Sequence, residues 1–330
     1  MNHFPMHRRS LLLSLSLLAA STALHAQTST EAMTIYVPFP AGGSSDVFAR
    51  TLAPTLSKQL QRTLIVENLA GASGSIAANK VLSRGGSGDA LFLASPTETI
   101  LAPATMKMAK YKPADFRMVG LISRVPLGVY VRADLPVQSI DELVTYAKSR
   151  KDTPLSYGSV GIGSVYHLAG TAFMQAVGAP MTHIPYKGGA PLLQDLMGGQ
   201  LDMALFPADG HLAKMTANGK MRVIGITSPS RSPLFPNAGT FAESKTLPKF
   251  STVDVWGGLF VSKATPEATV QALHRAFQAT IEDPETKKAM DTATGGMLAS
   301  PMSLDQLARF YSTESQRFEN AVKQANIELN

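Results

Sequence analysis

The segment Thr34–Leu56, TIYVPFPAGGSSDVFARTLAPTL, decides the fold of this chain. Its β-branched and aromatic start predicts a strand, and the two prolines that follow end it. Gly42-Gly43 predict a turn, after which Ser44 or Ser45 is expected to cap a helix that has Asp46 in its first turn. A helix N-terminus presents unpaired N–H groups and a partial positive charge, so this unit favours an anion. Many such turns also bind nothing.

The same order of strand, small-residue loop and helix continues along the chain. Strands are expected at 63–68, 90–94, 155–158, 181–184, 201–206, 221–227 and 253–261, and helices at 76–82, 165–177, 190–197, 268–281 and 304–325. Such alternation predicts parallel pairing and an α/β fold. In open α/β sheets the ligand lies beyond the carboxyl ends of the strands, which places Ala41–Asp46 and Ser95–Thr97 on one rim.

Two extended links divide the chain into two α/β lobes, with hinge crossovers expected near Ser123–Val129 and Thr252–Gly258. Each lobe is expected to be a mainly parallel sheet flanked by helices. The predicted limits are 27–126 for the first part of lobe 1, 127–254 for lobe 2, and 255–330 for the return to lobe 1. Glycine loops open helices in both lobes, so a cleft between them would suit a small carboxylate or another anion.

The first 26 residues have the features of a signal peptide. Arg8-Arg9 precede the apolar run Leu11–Ala20, and Leu24-His25-Ala26 end in a small residue, so cleavage is expected after Ala26. The run is shorter than the roughly twenty apolar residues that span a bilayer. A retained anchor is the alternative, and the arginine pair leaves both the Sec and the twin-arginine export route open.

Composition excludes several classes of function. The formal net charge is +6, two units of which belong to the leader arginines, and no run of Lys or Arg indicates nucleic-acid binding. The chain has no cysteine, so disulfides, thiolate metal sites and cysteine nucleophiles are excluded. No phosphate-binding P-loop motif occurs. Four histidines follow the leader without metal-ligand spacing, at His167, His183, His211 and His274. We expect no metal and no cofactor.

Three single residues have two interpretations each. His167, one turn into a helix, is favoured as a packing or capping histidine over a catalytic base. Asp209 follows a strand end, where it could contact the ligand or the other lobe, or be a solvated loop acid. Trp256 is the only tryptophan and is expected to pack in the core or at the hinge.

An ordered series of motifs runs along nearly the whole mature chain. It resembles the substrate-binding receptors of tripartite tricarboxylate transporters, also called the Bug or TctC family. The motifs are Val37–Asp46, Val66–Asn68 with Gly71–Gly74, Tyr157–Ser164 with His167–Gly170, Pro185–Gly188, Ile226–Ser228, Arg231–Pro233, Thr240–Ser244, and Trp256 with Gly258–Phe260. Each motif alone is weak, but their order is specific.

The resemblance implies a monomeric periplasmic binding protein with a two-lobed, type II-like fold. It would close around a small organic acid and deliver it to a large and a small membrane subunit. The implied ligand-binding residues are Phe39, Ala41, Gly42, Gly43, Ser44, Ser45 and Ser95 in lobe 1, and Ser159, Gly161, Gly163, Ser164 and Tyr186 in lobe 2. Asp209 is a further candidate because it follows a strand end. One departure is that Pro207 stands where the family often has Asp, with Asp209 two residues later.

Two other functions stay open at this point. A sensory adaptor would present the ligand to a membrane signalling partner instead of a permease. An exported enzyme would use His167 with Ser164 or Asp209. Since the catalytic motifs are missing, we predict a binding protein and not an enzyme.

Overall fold

Residues 32–250 and 254–325 are described in a computed structural model, and the predicted leader lies outside them. Within these residues one sheet has five strands: β1 (Met33–Val37), β2 (Leu64–Asn68), β3 (Ala90–Ala94), β4 (Phe116–Val125) and β11 (Val255–Ser262). The other has six: β5 (Leu127–Arg132), β6 (Leu155–Ser159), β7 (Met181–Pro185), β8 (Met203–Pro207), β9 (Met221–Ile226) and β10 (Gly239–Thr240). The strand orders are β2-β1-β3-β11-β4 and β10-β9-β5-β8-β6-β7.

Helices cover both sheets. They are α1 (Ser44–Leu60), α2 (Ser75–Ser83), α3 (Ala102–Thr105), α4 (Ile140–Ser149), α5 (Val165–Val177), α6 (Gly189–Met197), α7 (Gly210–Thr216), α8 (Glu267–Glu282), α9 (Pro284–Thr294) and α10 (Leu304–Ala325). The predicted bounds of α5 and α10 are confirmed, while α3, α7 and α9 were not predicted. In the part of the chain that is described, no helix is long and apolar enough to cross a membrane.

Both sheets are mainly parallel, as predicted, and each also contains one antiparallel strand that the sequence did not predict. In the first, β11 runs antiparallel to β3 and β4. In the second, β5 runs antiparallel to β8 and β9. Both exceptions are the strands by which the chain arrives from the other sheet. Each therefore enters its new sheet from the end where the other strands stop, and so points the opposite way.

The two sheets are joined by two connections that lie side by side. Pro126 alone separates β4 from β5, and the chain returns between Thr240 and Val255. Val255 pairs with Val125 at the start of β11, so the outgoing and returning strands are neighbours. The architecture is therefore two-lobed with two crossovers.

One of the apolar cores extends through both lobes. It includes Trp256 of β11, Phe173 of α5 and Phe318 of α10, each of which is fully buried. The indole Nε1 of Trp256 donates to Glu314 Oε2 over 3.0 Å, so α10 is fastened to the crossover strand. Trp256 is thus a packing residue beside the crossover. The outer faces of the sheets have cores of their own, against α1, α8 and α9 in the first lobe and α6 and α7 in the second.

Candidate functional site

The turn after β1 is shaped by glycine and held by an acid. Gly42 has φ +90°, a conformation that favours glycine, and its N–H donates to Asp46 Oδ2 over 3.0 Å. The predicted serine cap is wrong: Gly43 occupies the cap position without a side-chain bond, and α1 begins at Ser44. Burial opposes ionisation of Asp46, but hydrogen bonds from Arg50, Gly42 and Asn68 hold its pKa below the usual value.

The second lobe repeats this design after β6. Ser164 caps α5, its hydroxyl accepting from the N–H of His167 over 3.2 Å. Gly161 and Gly163 precede it with φ +134° and +74°. Both turns thus deliver the N-terminus of a long helix to the carboxyl end of a sheet, where the partial positive charge of the helix is available to an anion.

The loops of the two lobes touch directly. The Ser44 hydroxyl donates to Asp209 Oδ2 over 2.8 Å, and the Ser73 hydroxyl donates to the carbonyl of Ile162 over 2.7 Å. The N–H of Val165 donates to Thr97 Oγ1 over 3.2 Å. These bonds join residues of opposite lobes, so the cleft is in a closed arrangement.

Glycine permits this close approach of the lobes. A Cβ placed on Gly161 would lie 2.5 Å from Ser73 Oγ, and one on Gly163 would overlap Thr105 Oγ1. A Cβ on Gly188 would overlap Pro40 Cδ in the other lobe. The glycines of the second lobe therefore serve contact between lobes as well as turn geometry.

Asp209 contacts the other lobe and is not a solvated loop acid. It is 1% exposed and caps α7, its Oδ1 accepting from the N–H of Leu212 over 2.8 Å. Burial raises the pKa of its carboxyl to about 6, although hydrogen bonds from Leu212 and Ser44 favour the ionised form. Asp209 is therefore mostly ionised at pH 7 and holds Ser44 through a charge-assisted bond.

The other predicted ligand-binding residues of lobe 1 differ in their hydrogen bonds and in their exposure. The Phe39 carbonyl accepts from Asn68 Nδ2 over 3.0 Å, and Ala41 is exposed at the tip of the turn. Ser45 is half-buried. The N–H of Ser95 donates to Glu98 Oε2 over 2.5 Å. Backbone and hydroxyl groups of this lobe therefore converge at the ends of β1 and β3.

In lobe 2 the Tyr186 hydroxyl points away from the group of lobe contacts. It donates to Asp195 Oδ2 of α6 over 2.9 Å, and burial with the nearby Asp195 charge raises its pKa to about 12. The backbone N–H of Tyr186 is bonded to the Ser159 carbonyl over 2.8 Å. Tyr186 is thus placed to support the Ser159 loop through its backbone, while its hydroxyl serves its own lobe.

Two stacked histidines support the second loop. The rings of His167 and His183 are 4.0 Å apart at 14°, and His183 Nε2 is 2.7 Å from Ser159 Oγ. His167 Nδ1 accepts from the N–H of Gly163 over 3.1 Å. Burial lowers the pKa of both rings, that of His183 to about 4 with a further contribution from His167. The sequence did not predict His183, since its partners are distant along the chain.

This geometry gives no support to catalysis by His167. Its Nδ1 is occupied by a backbone N–H, and Ser164 Oγ accepts from the His167 backbone and not from the ring. Neither bond would activate a serine as a nucleophile. Within the described ranges, no group of three or more His, Cys, Asp or Glu side chains could hold a metal ion.

Two further residues of the cleft were missed by the sequence analysis. Glu98, in the helical turn after β3, is fully buried, and burial raises its pKa to about 8. Tyr166 of α5 is half-buried and packs against Phe206 at 4.5 Å, and the charges of Glu98 and Asp209 both act on its hydroxyl. The only signal for Glu98 was an acid directly after a buried strand and a proline turn.

Several known proteins share this fold and sequence pattern. Residues 48–327 match the family model described as the tripartite tricarboxylate transporter family receptor. Protein BugT of Bordetella pertussis is 31% identical over 299 residues, which are 89% of each chain. The periplasmic binding protein BugD has a TM-score of 0.83 and 31% identity, over 90% of this chain and 98% of its own. The R. palustris protein Rpa4515, solved with adipate, has a TM-score of 0.83 and 29% identity, over 92% and 99%.

The family model matches residues from both lobes, including the glycine turn before α5. These likenesses agree with the resemblance that the motif series indicated. The family is one of solute-binding receptors of the periplasm, and not of enzymes. The chain belongs to the tripartite tricarboxylate transporter receptor family, which includes the Bug proteins.

Proposed function

We propose that this receptor captures a small carboxylate between its lobes and delivers it to the large and small membrane subunits of a tripartite tricarboxylate transporter. One observation carries the proposal: Ser44 at the N-terminus of α1 contacts lobe 2 and Val165 at the N-terminus of α5 contacts lobe 1, so both helix N-termini lie where the lobes meet. The partial positive charge of each helix N-terminus favours an anion. The adipate bound to Rpa4515 is an acid of this class.

The proposed contacts are mainly neutral backbone and hydroxyl groups, and Asp209, an ionised acceptor, is the exception. We assign ligand binding to the residues predicted above: Phe39, Ala41, Gly42, Gly43, Ser44, Ser45, Ser95, Ser159, Gly161, Gly163, Ser164, Tyr186 and Asp209. The contacts between the lobes described above involve no lysine or arginine. A carboxylate would therefore be held by backbone N–H groups and hydroxyls, which bind charged oxygens without a salt bridge.

We further propose the lobe limits 27–126 with 255–330, and 127–254. Export would follow cleavage after Ala26, and the mature receptor would act in the periplasm as a monomer. The cleavage site is tested by the mass of the secreted protein, which should equal the mass calculated for a chain that begins at Gln27. Size-exclusion chromatography with light scattering would test the monomer.

Ligand binding is tested by thermal shift on protein that has been unfolded, dialysed and refolded. A ligand that binds only the native state raises apparent stability by RT ln(1 + [L]/Kd), about 2.7 kcal/mol at a hundredfold excess over Kd. We expect adipate, succinate or a related acid to raise the melting temperature, and the matching methyl esters to leave it unchanged. If no acid in a panel of mono- and dicarboxylates raises it, carboxylate capture is rejected.

The membrane partner is tested in cells. Deleting the chain should abolish uptake of the identified acid, and supplying it again in the periplasm should restore uptake. If deletion abolishes induction of genes by the acid while uptake continues, the chain is a sensory adaptor and the transport proposal is overturned.

A further inference from the structure

A buried acid lies where the two lobes meet. Glu98 is 0% exposed, and Gly74 packs closely against it. A Cβ added to Gly74 would overlap Glu98 Cγ. Two residues beside this pair contact the second lobe: Ser73, which donates to Ile162, and Thr97, which accepts from Val165. Glu98 is therefore enclosed between two contacts that form only when the cleft is closed.

The two carboxyl oxygens of Glu98 have different surroundings. Oε2 accepts from the N–H of Ser95 over 2.5 Å. Oε1 is buried and has no hydrogen-bond partner among the described residues, and the same holds for the hydroxyl of Ser75, next to Gly74. A buried polar group without a hydrogen-bond partner lowers stability by about 1–3 kcal/mol. We therefore expect a partner other than the described residues to satisfy Oε1.

The charge state decides which kind of partner Oε1 requires. Burial is the largest influence on Glu98 and raises its pKa to about 8, against the hydrogen bonds from Ser95. At pH 7 the group is then mainly a neutral acid. Since Oε2 already accepts a bond, the proton resides on Oε1, which is a donor in need of an acceptor.

We propose that Glu98 binds the solute as a neutral acid, its Oε1–H donating to an oxygen of the carboxylate or of a second acceptor group on the ligand. This inference rests on the proposed function and deepens it. An ionised Glu98 would repel an anionic ligand in this desolvated place, whereas a protonated one adds a donor without adding charge. Glu98 is thereby a specificity-determining residue for ligands that present an acceptor here.

Other titratable groups around Glu98 do not interfere between pH 7 and pH 9. Tyr111 donates its hydroxyl to the Glu98 carbonyl over 2.7 Å, and burial raises its pKa. Burial likewise raises the pKa of Tyr166 across the cleft and of Tyr311 on α10. These tyrosines stay neutral in that range, and Asp209, with a pKa of about 6, is already ionised.

Glu98→Gln and Glu98→Leu test the proposal with adipate as the probe. The amide of Gln has an oxygen for the Ser95 N–H and an N–H₂ donor for the ligand, so its affinity should stay within about threefold of wild type. Leu has no donor and should weaken binding about tenfold, the equivalent of one lost hydrogen bond. Glu282→Gln, an exposed acid of α8, is the charge control and should change nothing.

The pH dependence gives an independent readout. Wild-type affinity for adipate should be constant up to about pH 8 and then fall, approaching tenfold per pH unit, because only the protonated acid donates. The Glu98→Gln variant should show no such fall. If Gln weakens binding as much as Leu, or if affinity does not fall with rising pH, Glu98 does not donate to the ligand and the proposal is overturned.

An infrared titration separates this inference from the proposed function. The difference spectrum between ligand-free wild type and Glu98→Gln should contain the carbonyl band of a protonated acid at pH 7, which disappears as pH rises through about 8. If that band is absent at pH 7, the neutral-acid proposal fails even where adipate binds. If it is present and no carboxylate binds, carboxylate capture fails while the neutral donor stands.

Discussion

Ser44 at the start of α1 donates its hydroxyl to Asp209 at the start of α7 over 2.8 Å, which joins the two lobes. The two residues are 165 positions apart in the chain. Asp209 also caps its own helix, so its carboxylate is held in place before the lobes meet. Closure thus forms a bond to a pre-positioned acceptor, which lowers the entropy lost when the bond is made.

We expect Ser44→Ala to weaken ligand binding about tenfold with little effect on the fold. A hydrogen bond to a charged group contributes about 1.5–3 kcal/mol, and this bond exists only in the closed state that retains the ligand. Isothermal titration calorimetry with the acid found by thermal shift measures the effect. Ser83→Ala, which removes an exposed hydroxyl at the end of α2 in the same lobe, is the control.

Because Ser44 is also a proposed ligand contact, a double-mutant cycle separates its two roles. Asp209→Asn retains a good helix cap while removing the charge. Coupling between Ser44→Ala and Asp209→Asn of about 1 kcal/mol or more would identify the bond between the lobes. Strict additivity would show that Ser44 acts on the ligand alone.

Gly188→Ala should block closure without damaging either lobe. Gly188 has φ 165°, an extended conformation open to any residue, so alanine adds no backbone strain. Its Cβ would overlap Pro40 of the other lobe only when the lobes meet. We expect an unchanged melting temperature without ligand, and at least tenfold weaker binding.

Small-angle X-ray scattering checks this mechanism directly. With saturating ligand, wild type should become more compact, while Gly188→Ala should keep the dimensions of its ligand-free form. Gly257→Ala, where the structure leaves open space for a Cβ, should behave as wild type. A fully closed Gly188→Ala complex would refute the steric explanation.

Local sequence signals were sufficient for most elements around the cleft. The small-residue loop that ends at Ser164 and the helical pattern after it predicted α5 with its observed bounds, since such signals act within a few residues. They failed for α9, whose sequence is mostly polar and has Met290 as its only large apolar residue. Its start did have two usable signals, the Asp283 side chain that accepts from the Thr286 N–H over 2.9 Å and a proline at the first position.

Relationships between distant segments could not be read from the sequence. Nothing local shows that Ser44 faces Asp209 or that His183 lies against Ser159, because tertiary packing decides which loops oppose each other. The reversed directions of β5 and β11 were missed for the same reason. Glu98 was missed because burial, and not residue type, makes an acid a neutral donor.

The histidine pair should make the receptor sensitive to acid. Folding keeps the His183 pKa at about 4, below the 6.5 of an unfolded histidine. The unfolded chain therefore binds more protons between these values, so this contribution to stability is complete above pH 6.5 and is lost as pH falls toward 4. His167, whose pKa is also lowered by burial, acts in the same direction.

His183→Gln tests this effect, because glutamine can still bond to Ser159 but cannot titrate. Free energies of unfolding from urea titrations between pH 7 and pH 4.5 should decline less steeply in the variant than in wild type. His167→Asn, which keeps an acceptor for the Gly163 N–H, should show the same reduction. An identical decline in all three proteins would mean that other groups cause the acid sensitivity.

Glu314 fastens the terminal helix through the only tryptophan of the chain. Its Oε2 accepts from Trp256 Nε1 over 3.0 Å, and its Oε1 accepts from Arg317 over 3.1 Å. Glu314→Leu would leave the buried indole N–H without an acceptor, which costs about 1–3 kcal/mol. Glu314→Gln retains an acceptor and should lose less than half as much stability.

Urea unfolding followed by Trp256 fluorescence reports both the stability of the protein and the surroundings of the indole. Glu319→Leu, a less buried acid on the same helix, should change stability by no more than about 0.5 kcal/mol. If Glu314→Leu is as harmless as that control, packing alone holds α10 to the crossover strand.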